Sequence, residues 1–216
     1  MTADTYDARF DDAFACQLTE LFRLRRDVRH FRNDPLPAGM VEQLLDIACL
    51  APSVGLSQPW RFVIVESSKR RAQVREIFRK CNAAARDAYA ESRAVEYAAL
   101  KLAGLDQAPC QIAVFSKNDP AAGHGLGRQS MPETVQYSVV MAIHTLWLAA
   151  RTKGIGLGWV SILDPKQLHA ALDVPEDWLF IGYLCIGYPS EQHETPELER
   201  RGWELRRSSK TFVVQR

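Results

Sequence analysis

Cysteine is scarce and unpatterned in this chain: there are five, at positions 16, 49, 81, 110 and 185, odd in number and never spaced C-x-x-C. That usage excludes a disulfide framework, and no pair of histidines or cysteines has zinc-ligand spacing. Reduced and mostly buried thiols, a cytoplasmic setting and no metal are therefore expected. Long hydrophobic runs are missing too: the longest, "VVMAIHTLWLAA", has 12 residues, against the roughly 20 that a membrane-spanning helix needs. The N-terminal "MTADTYDARFDDAFACQ" has no apolar core of the secretory type. Charge of one sign is not in excess, with 27 Lys and Arg against 26 Asp and Glu, so no global field favours nucleic acid or an anionic membrane. Any anion has to be bound locally. No repeat, no G-x-G-x-x-G opening a helix and no G-x-S-x-G elbow occurs, which argues against a solenoid, a Rossmann fold and a serine hydrolase.

What is present reads as one domain of alternating helices and strands. Phe14, Leu18, Leu21 and Phe22 recur at helical spacing, which predicts an amphipathic helix over 11–25 that the stretch "RRDVRHF" ends or follows. Pro37 opens a second helix with an apolar face from Met40 to Ala48, and "APSVG" stops it. "RFVIV" and "CQIAVFS" read as buried strands. Residues 68–103 are helical in composition, with thin apolar stripes suited to a cover. Ser130 and Glu133 fit a capping box for a central helix that ends at Lys153 and Gly154. That helix is apolar on nearly every side, as befits a core or a subunit interface. "GIGLGWVSIL" and "WLFIGYLCIGYP" are strands joined by a short helix that Asp164 and Pro165 begin, and the tail from about 195 shows no helical period. An α+β fold with a mixed sheet fits this order.

Three stretches can carry chemistry. In "RRDVRHF", Arg25 with Arg29 and Arg26 with Arg29 project the same way on a helical turn and can grip a phosphate; equally, they can complement a helix end, with Asp27 neutralising them. "APSVGLSQPWRFVIV" exposes backbone amides and the Gln58 carboxamide, suited to the edge of a planar heterocycle, or is simply a turn. The glycines of "GIGLGWVS" permit close approach of a flat ligand, with Ser161 at the strand end, or serve packing. Of the histidines, His144 reads as a hydrogen-bonded core residue and His169 as a surface one, neither with an identifiable partner.

Taken in order, "RRDVRHF", "APSVGLSQPWRFVIV", "GIGLGWVSI" and "LCIGYP" resemble the flavin-binding framework of the nitroreductase family over about residues 18–207. In that family an R-x-[S/T]-x-[R/K]-x-F element holds one side of FMN. Arg25, Arg29 and Phe31 match it, but Asp27 stands where a hydroxyl residue is usual. That departure, with "GWVSI" and "PEL…GW", is similar to a flavin-consuming branch in which reduced FMN and dioxygen yield 5,6-dimethylbenzimidazole, the lower ligand of vitamin B12. The resemblance implies Asp27 and Ser161 as catalytic residues. It implies FMN contacts from Arg25, Arg26, Asp27, Val28 and Arg29, from Ser53, Val54, Gly55 and Gln58 along the ring or ribityl chain, from Ser161, and from Arg206 at the phosphate. Residues 81–110 would form a lid that keeps a nicotinamide out, with Leu102 as a contact.

The same resemblance implies a homodimer with FMN at its interface, and a separate flavin reductase that supplies reduced FMN. Residues 1–10 would be flexible and 195–216 a C-terminal extension. Two other readings share the framework: an NAD(P)H-dependent nitroreductase or flavin reductase whose flavin survives, and a non-catalytic flavin carrier.

Overall fold

A computed structural model of the chain describes residues 10–100 and 103–216. Most of the segment expected to be flexible, 1–10, lies outside them. Helix α1 (Asp12–Leu24) begins where the Asp11 carboxylate accepts the Phe14 amide and ends at Arg25, whose backbone is extended. Helix α2 (Met40–Ala48) is capped by Gly39 in the left-handed conformation. Pro37, expected to open this helix, instead sits in the preceding turn, its carbonyl accepting the Met40 amide. Strand β1 (Trp60–Ile64) is followed by α3 (Ser68–Asp87), α4 (Glu91–Ala99) and the single turn α5 (Gly104–Gln107). Then come β2 (Cys110–Lys117), the long helix α6 (Thr134–Thr152), β3 (Gly156–Val160), α7 (Pro165–Leu172) and β4 (Trp178–Gly187). The tail, read as non-helical, contains an α-helical turn, α8 (Glu197–Arg200), entered at Pro196, and a 3-10 turn at Ser209–Thr211.

The strands lie in the order β1-β2-β4-β3, each neighbour antiparallel. The four-stranded sheet is therefore antiparallel rather than mixed, and the parallel pairing of Asp27 with Leu157 is an isolated bridge outside it. Alternation along the strands separates two cores. Ile112, Val114, Leu184 and Ile186 face α2 and α6, while Ala113, Phe115, Tyr183 and Cys185 face α3 and α7. β1, expected to be buried, is an edge strand and half-exposed. This is an α+β sheet with helices on both faces.

Helix α6 buries Val139, Ile143 and Leu146 completely, each stabilising by about 1.5–3 kcal/mol through area removed from water. The Ser130–Glu133 capping box does not form. The turn before the helix already supplies the Met131 and Pro132 carbonyls to the Thr134 and Val135 amides, so Glu133 is the N-cap without a side-chain bond. At the other end Lys153 caps the helix and Gly154 takes φ +70°, as the sequence predicts. The thiols are all free, but only Cys110 and Cys185 are buried. Cys16 is exposed because α1 buries no residue, and Cys49 because it lies just past the end of α2. Among the described residues, no helix is long and apolar enough to cross a membrane.

Candidate active site

The stretch from Arg25 to Phe31 is extended, so the helical-turn pairing of its arginines does not occur. The chain leaves α1 extended at Arg25, and Arg25, Arg26, Asp27 and Arg29 all reach one cleft. The Val28 amide bonds to the Leu157 carbonyl at 3.0 Å, and Asp27 Oδ1 accepts the Trp159 amide at 2.9 Å. The carboxylate thus takes the place of the next ladder acceptor on the free edge of β3. Beyond Val28 the chain crosses the sheet face. A Cβ on Gly158 would stand 2.1 Å from the Val28 carbonyl oxygen, and one on Gly156 would stand 2.7 Å from the Val28 side chain. These glycines admit the chain's own backbone, not a flat ligand as the motif suggested.

Arg26 also lines the cleft, but its guanidinium is tied to the backbone, donating to the carbonyls of Arg23, Arg25 and His193. Its own carbonyl accepts the Trp147 indole N–H at 3.0 Å, which ties the segment to the C-terminal half of α6, and the Arg25 guanidinium lies 4.6 Å over the same indole. Arg25, Asp27 and Arg29 line a cavity of about 130 Å³ together with Glu197, Leu198 and Arg206. Such a volume suits a phosphoryl group and the first atoms behind it; whole ligands of drug size need roughly 300 Å³ or more.

The cleft carries more cation than its acids balance. Burial holds the Arg25 guanidinium below its ordinary proton affinity; Asp27 works against this, and Arg206 repels it further. Arg26 is lowered in the same way by burial, then by Arg206 and Arg25. Crowded guanidiniums without matching carboxylates form a site that an anion would relieve. The cleft is open on one side, leaving 37% of the Asp27 side chain accessible. Even so, burial pushes its proton affinity above the ordinary carboxylate value; the Trp159 amide, Arg29 and Arg25 oppose this, and Glu197 adds to it.

Ser161 lies two residues past Trp159 on the same strand edge, exposed, roughly 7 Å further along an extended chain. The second motif lies elsewhere. Ser53, Val54, Gly55 and Gln58 form a tight turn before β1, in which Ser53 Oγ accepts the Gln58 amide at 3.1 Å and Gly55 takes φ +57°. The Val54 amide bonds to Ser138 Oγ at 3.0 Å. Because Ser138 and Trp147 are nine residues apart on α6, this turn stands about 13 Å along the helix axis from the Arg25–Asp27 cleft. Among the described residues, the arginine cleft is lined by the first motif and the tail, and not by this turn.

Leu102 lies outside the described residues. The region read as a lid comprises the end of α3, then α4 and α5. Tyr89 and Tyr97 there pack against Trp203 of the tail, with centroids 5.8 and 6.3 Å apart. Sequence reasoning missed Trp147, Glu197 and Trp203; "PEL…GW" was a signal for the last two, read only for its likeness. Both histidine readings change. His144 is exposed with its ring parallel to Phe22, because it sits on the outer face of α6. His169 is half-buried with both ring nitrogens against carbonyls, those of Pro165 at 2.7 Å and Trp178 at 2.5 Å.

Known proteins resemble this chain in both sequence and fold. Over 198 residues the chain is 59% identical to a 5,6-dimethylbenzimidazole synthase of Rhodospirillum rubrum, covering 92% of this chain and 94% of that protein. It is 53% identical to a protein of the same name from Rhodobacter capsulatus, covering 90% and 94%. In fold it resembles oxidized iodotyrosine deiodinase bound to FMN and 3-iodo-L-tyrosine, with a TM-score of 0.69 and 24% identity over 82% of this chain and 91% of that one. The model of the nitroreductase family matches residues 23–188, the span from the arginine cleft to the end of the sheet, and the chain belongs to that family.

Proposed function

We propose that this protein is an enzyme that breaks reduced FMN down to 5,6-dimethylbenzimidazole in the presence of dioxygen. The observation that carries the reading is Asp27: a carboxylate fixed at the edge of β3 by the Trp159 amide, inside a cleft of excess guanidinium charge. Hydride transfer to a flavin needs no such acid, and a carrier needs none either. The high identity to proteins named for this product points the same way.

Reduced FMN, when bound, supplies the electrons and the carbon skeleton. Arg25, Arg29 and Arg206 hold its phosphate, since a dianion out of bulk water requires several forked donors. Asp27 can take up and release a proton at Oδ2, because its Oδ1 is engaged by the backbone and burial raises its proton affinity. Ser161, along the same edge, passes or orients a proton. Ser53, Val54, Gly55 and Gln58 line the ring or ribityl chain from a second copy of the chain, their turn being too far from the cleft within one copy. An exposed apolar patch supports such a dimer: Phe14, Leu18 and Phe22 of α1 join Tyr137, Val140 and Met141 of α6, and the tail exposes Phe212, Val213 and Val214. The lid over 81–110 keeps water and a nicotinamide out, so reduced FMN comes from a separate reductase.

The test is to give the protein reduced FMN in air and to seek dimethylbenzimidazole by mass spectrometry. Asp27→Asn is expected to lower the yield by at least about 100-fold while FMN affinity stays within a few-fold. NADPH-driven reduction of nitroaromatics with the flavin intact would refute the reading.

A further inference from the structure

Glu197 is an unusual glutamate for a surface turn. Its side chain is 11% exposed, whereas Glu20, Glu76 and Glu96 keep 49, 47 and 52% of theirs. Enclosed carboxylates are uncommon unless a partner holds them. Here one oxygen lies 3.8 Å from Arg29 Nε and the other 3.6 Å from Arg201 Nε. Arg29 Nε, itself on a side chain 11% exposed, also lies 3.6 Å from Asp27 Oδ2. Both distances from Arg29 exceed hydrogen-bond length. A nearly buried guanidinium is thus suspended between two carboxylates and closed on neither.

We propose that Glu197 is a positioning residue for Asp27: it draws Arg29 to a midpoint between the two acids, so that the guanidinium does not clamp Asp27 and the carboxylate stays free to take up and release a proton. The inference rests on Asp27 being the proton-handling group. Without Glu197, Arg29 closes its 3.6 Å contact with Asp27, its remaining acid, into a true ion pair. That pairing holds the acid ionised, which is the wrong state for a group that must lend a proton.

Other charges face the cleft and remain constant in the comparison. From the segment itself these are Arg25, Arg26 and His30; from the rim, Glu191 and His193, which pair with each other at 2.9 Å. Arg200 and Arg206 belong to the tail. Cys185 of β4 lies beneath, a thiol that burial and then Asp27 push up. None of these groups bridges Arg29 to a second acid, whereas Glu197 does.

The experiment is a pH titration of the Asp27 carboxyl carbon by NMR in the ligand-free protein, with Asp27→Asn to assign the signal. Glu197→Gln, isosteric and still hydrogen-bonding, is expected to move the Asp27 midpoint to lower pH, and Glu197→Asp to restore most of it. Arg201→Gln, at a side chain 54% exposed where folding is not at risk, leaves Glu197 to Arg29 alone and should move the midpoint to higher pH. Alongside, Glu197→Gln should not weaken FMN binding, since removing an acid cannot cost an anion, while product formed per bound FMN falls about tenfold. An unchanged midpoint in both variants, or a rise in Glu197→Gln, overturns the proposal. The titration needs no flavin, so it fails or succeeds apart from the assay for dimethylbenzimidazole.

Discussion

At the scale of single residues, Asp27 carries two jobs in one carboxylate. Oδ1 completes the edge of β3 while Oδ2 faces the guanidiniums. Its folded-state proton affinity is raised by burial above the ordinary carboxylate value of 3.8. The unfolded chain therefore releases this proton first as pH rises, and the ionised form is relatively disfavoured in the fold. Stability contributed by protonated Asp27 is full below 3.8 and is lost as pH climbs through the raised folded value. Asp27→Asn mimics the protonated state at every pH and keeps an oxygen for the Trp159 amide. Thermal melts of the ligand-free protein should show the variant gaining on the wild type as pH rises from about 4 toward neutrality. A gap that stays flat or reverses would contradict the raised affinity. The candidate acid itself was legible in the sequence, as the one carboxylate among arginines. Its geometry was not: helical spacing pairs the arginines through a turn, whereas the chain leaves α1 extended at Arg25.

Among elements, the tail links α4, part of the proposed lid, to the arginine cleft. Trp203 sits between Glu197 and Arg206 in the chain, both of which line the cleft. Its indole receives Tyr89 edge-on, packs against Tyr97, and is covered by the Arg93 guanidinium at 4.5 Å. Tyr97 in turn donates to Asn82 of α3 at 2.8 Å. Aromatic pairs of this kind stabilise by about 0.5–1.5 kcal/mol each beyond the area they bury. Trp203→Ala should therefore speed amide exchange over α4 and α8 by roughly tenfold or more, with little change in α6. Equal protection in the variant would mean that lid and tail move independently. The composition of 68–103 indicated a cover, but not what it rests on, because an aromatic contact between residues 89 and 203 has no local pattern to betray it.

For the whole molecule, the decisive fact is the length of α6 between its two anchor points. The Ser53–Gln58 turn is bonded to Ser138 and the arginine segment to Trp147, so on the proposed reading one chain presents two half-sites. A C2 pair of chains would bring unlike halves together twice. Asp27→Asn and Gln58→Arg, each inactive alone, should then complement when co-expressed. Random pairing makes half the dimers mixed, each with one intact site of two, so about a quarter of wild-type yield is expected. Product no greater than that of the separate variants would show that both motifs serve one chain.

By itself the sequence determined the α+β class, most helices and strands, the arginine cluster and its odd carboxylate, because these rest on local periodicity and composition. The tertiary structure alone decided that "RRDVRHF" runs as an edge segment on β3, that the glycines beside it make room for Val28, and that Glu197 shares Arg29 with Asp27. Those outcomes depend on contacts between residues more than a hundred positions apart, and on a sheet edge that no short stretch of chain encodes.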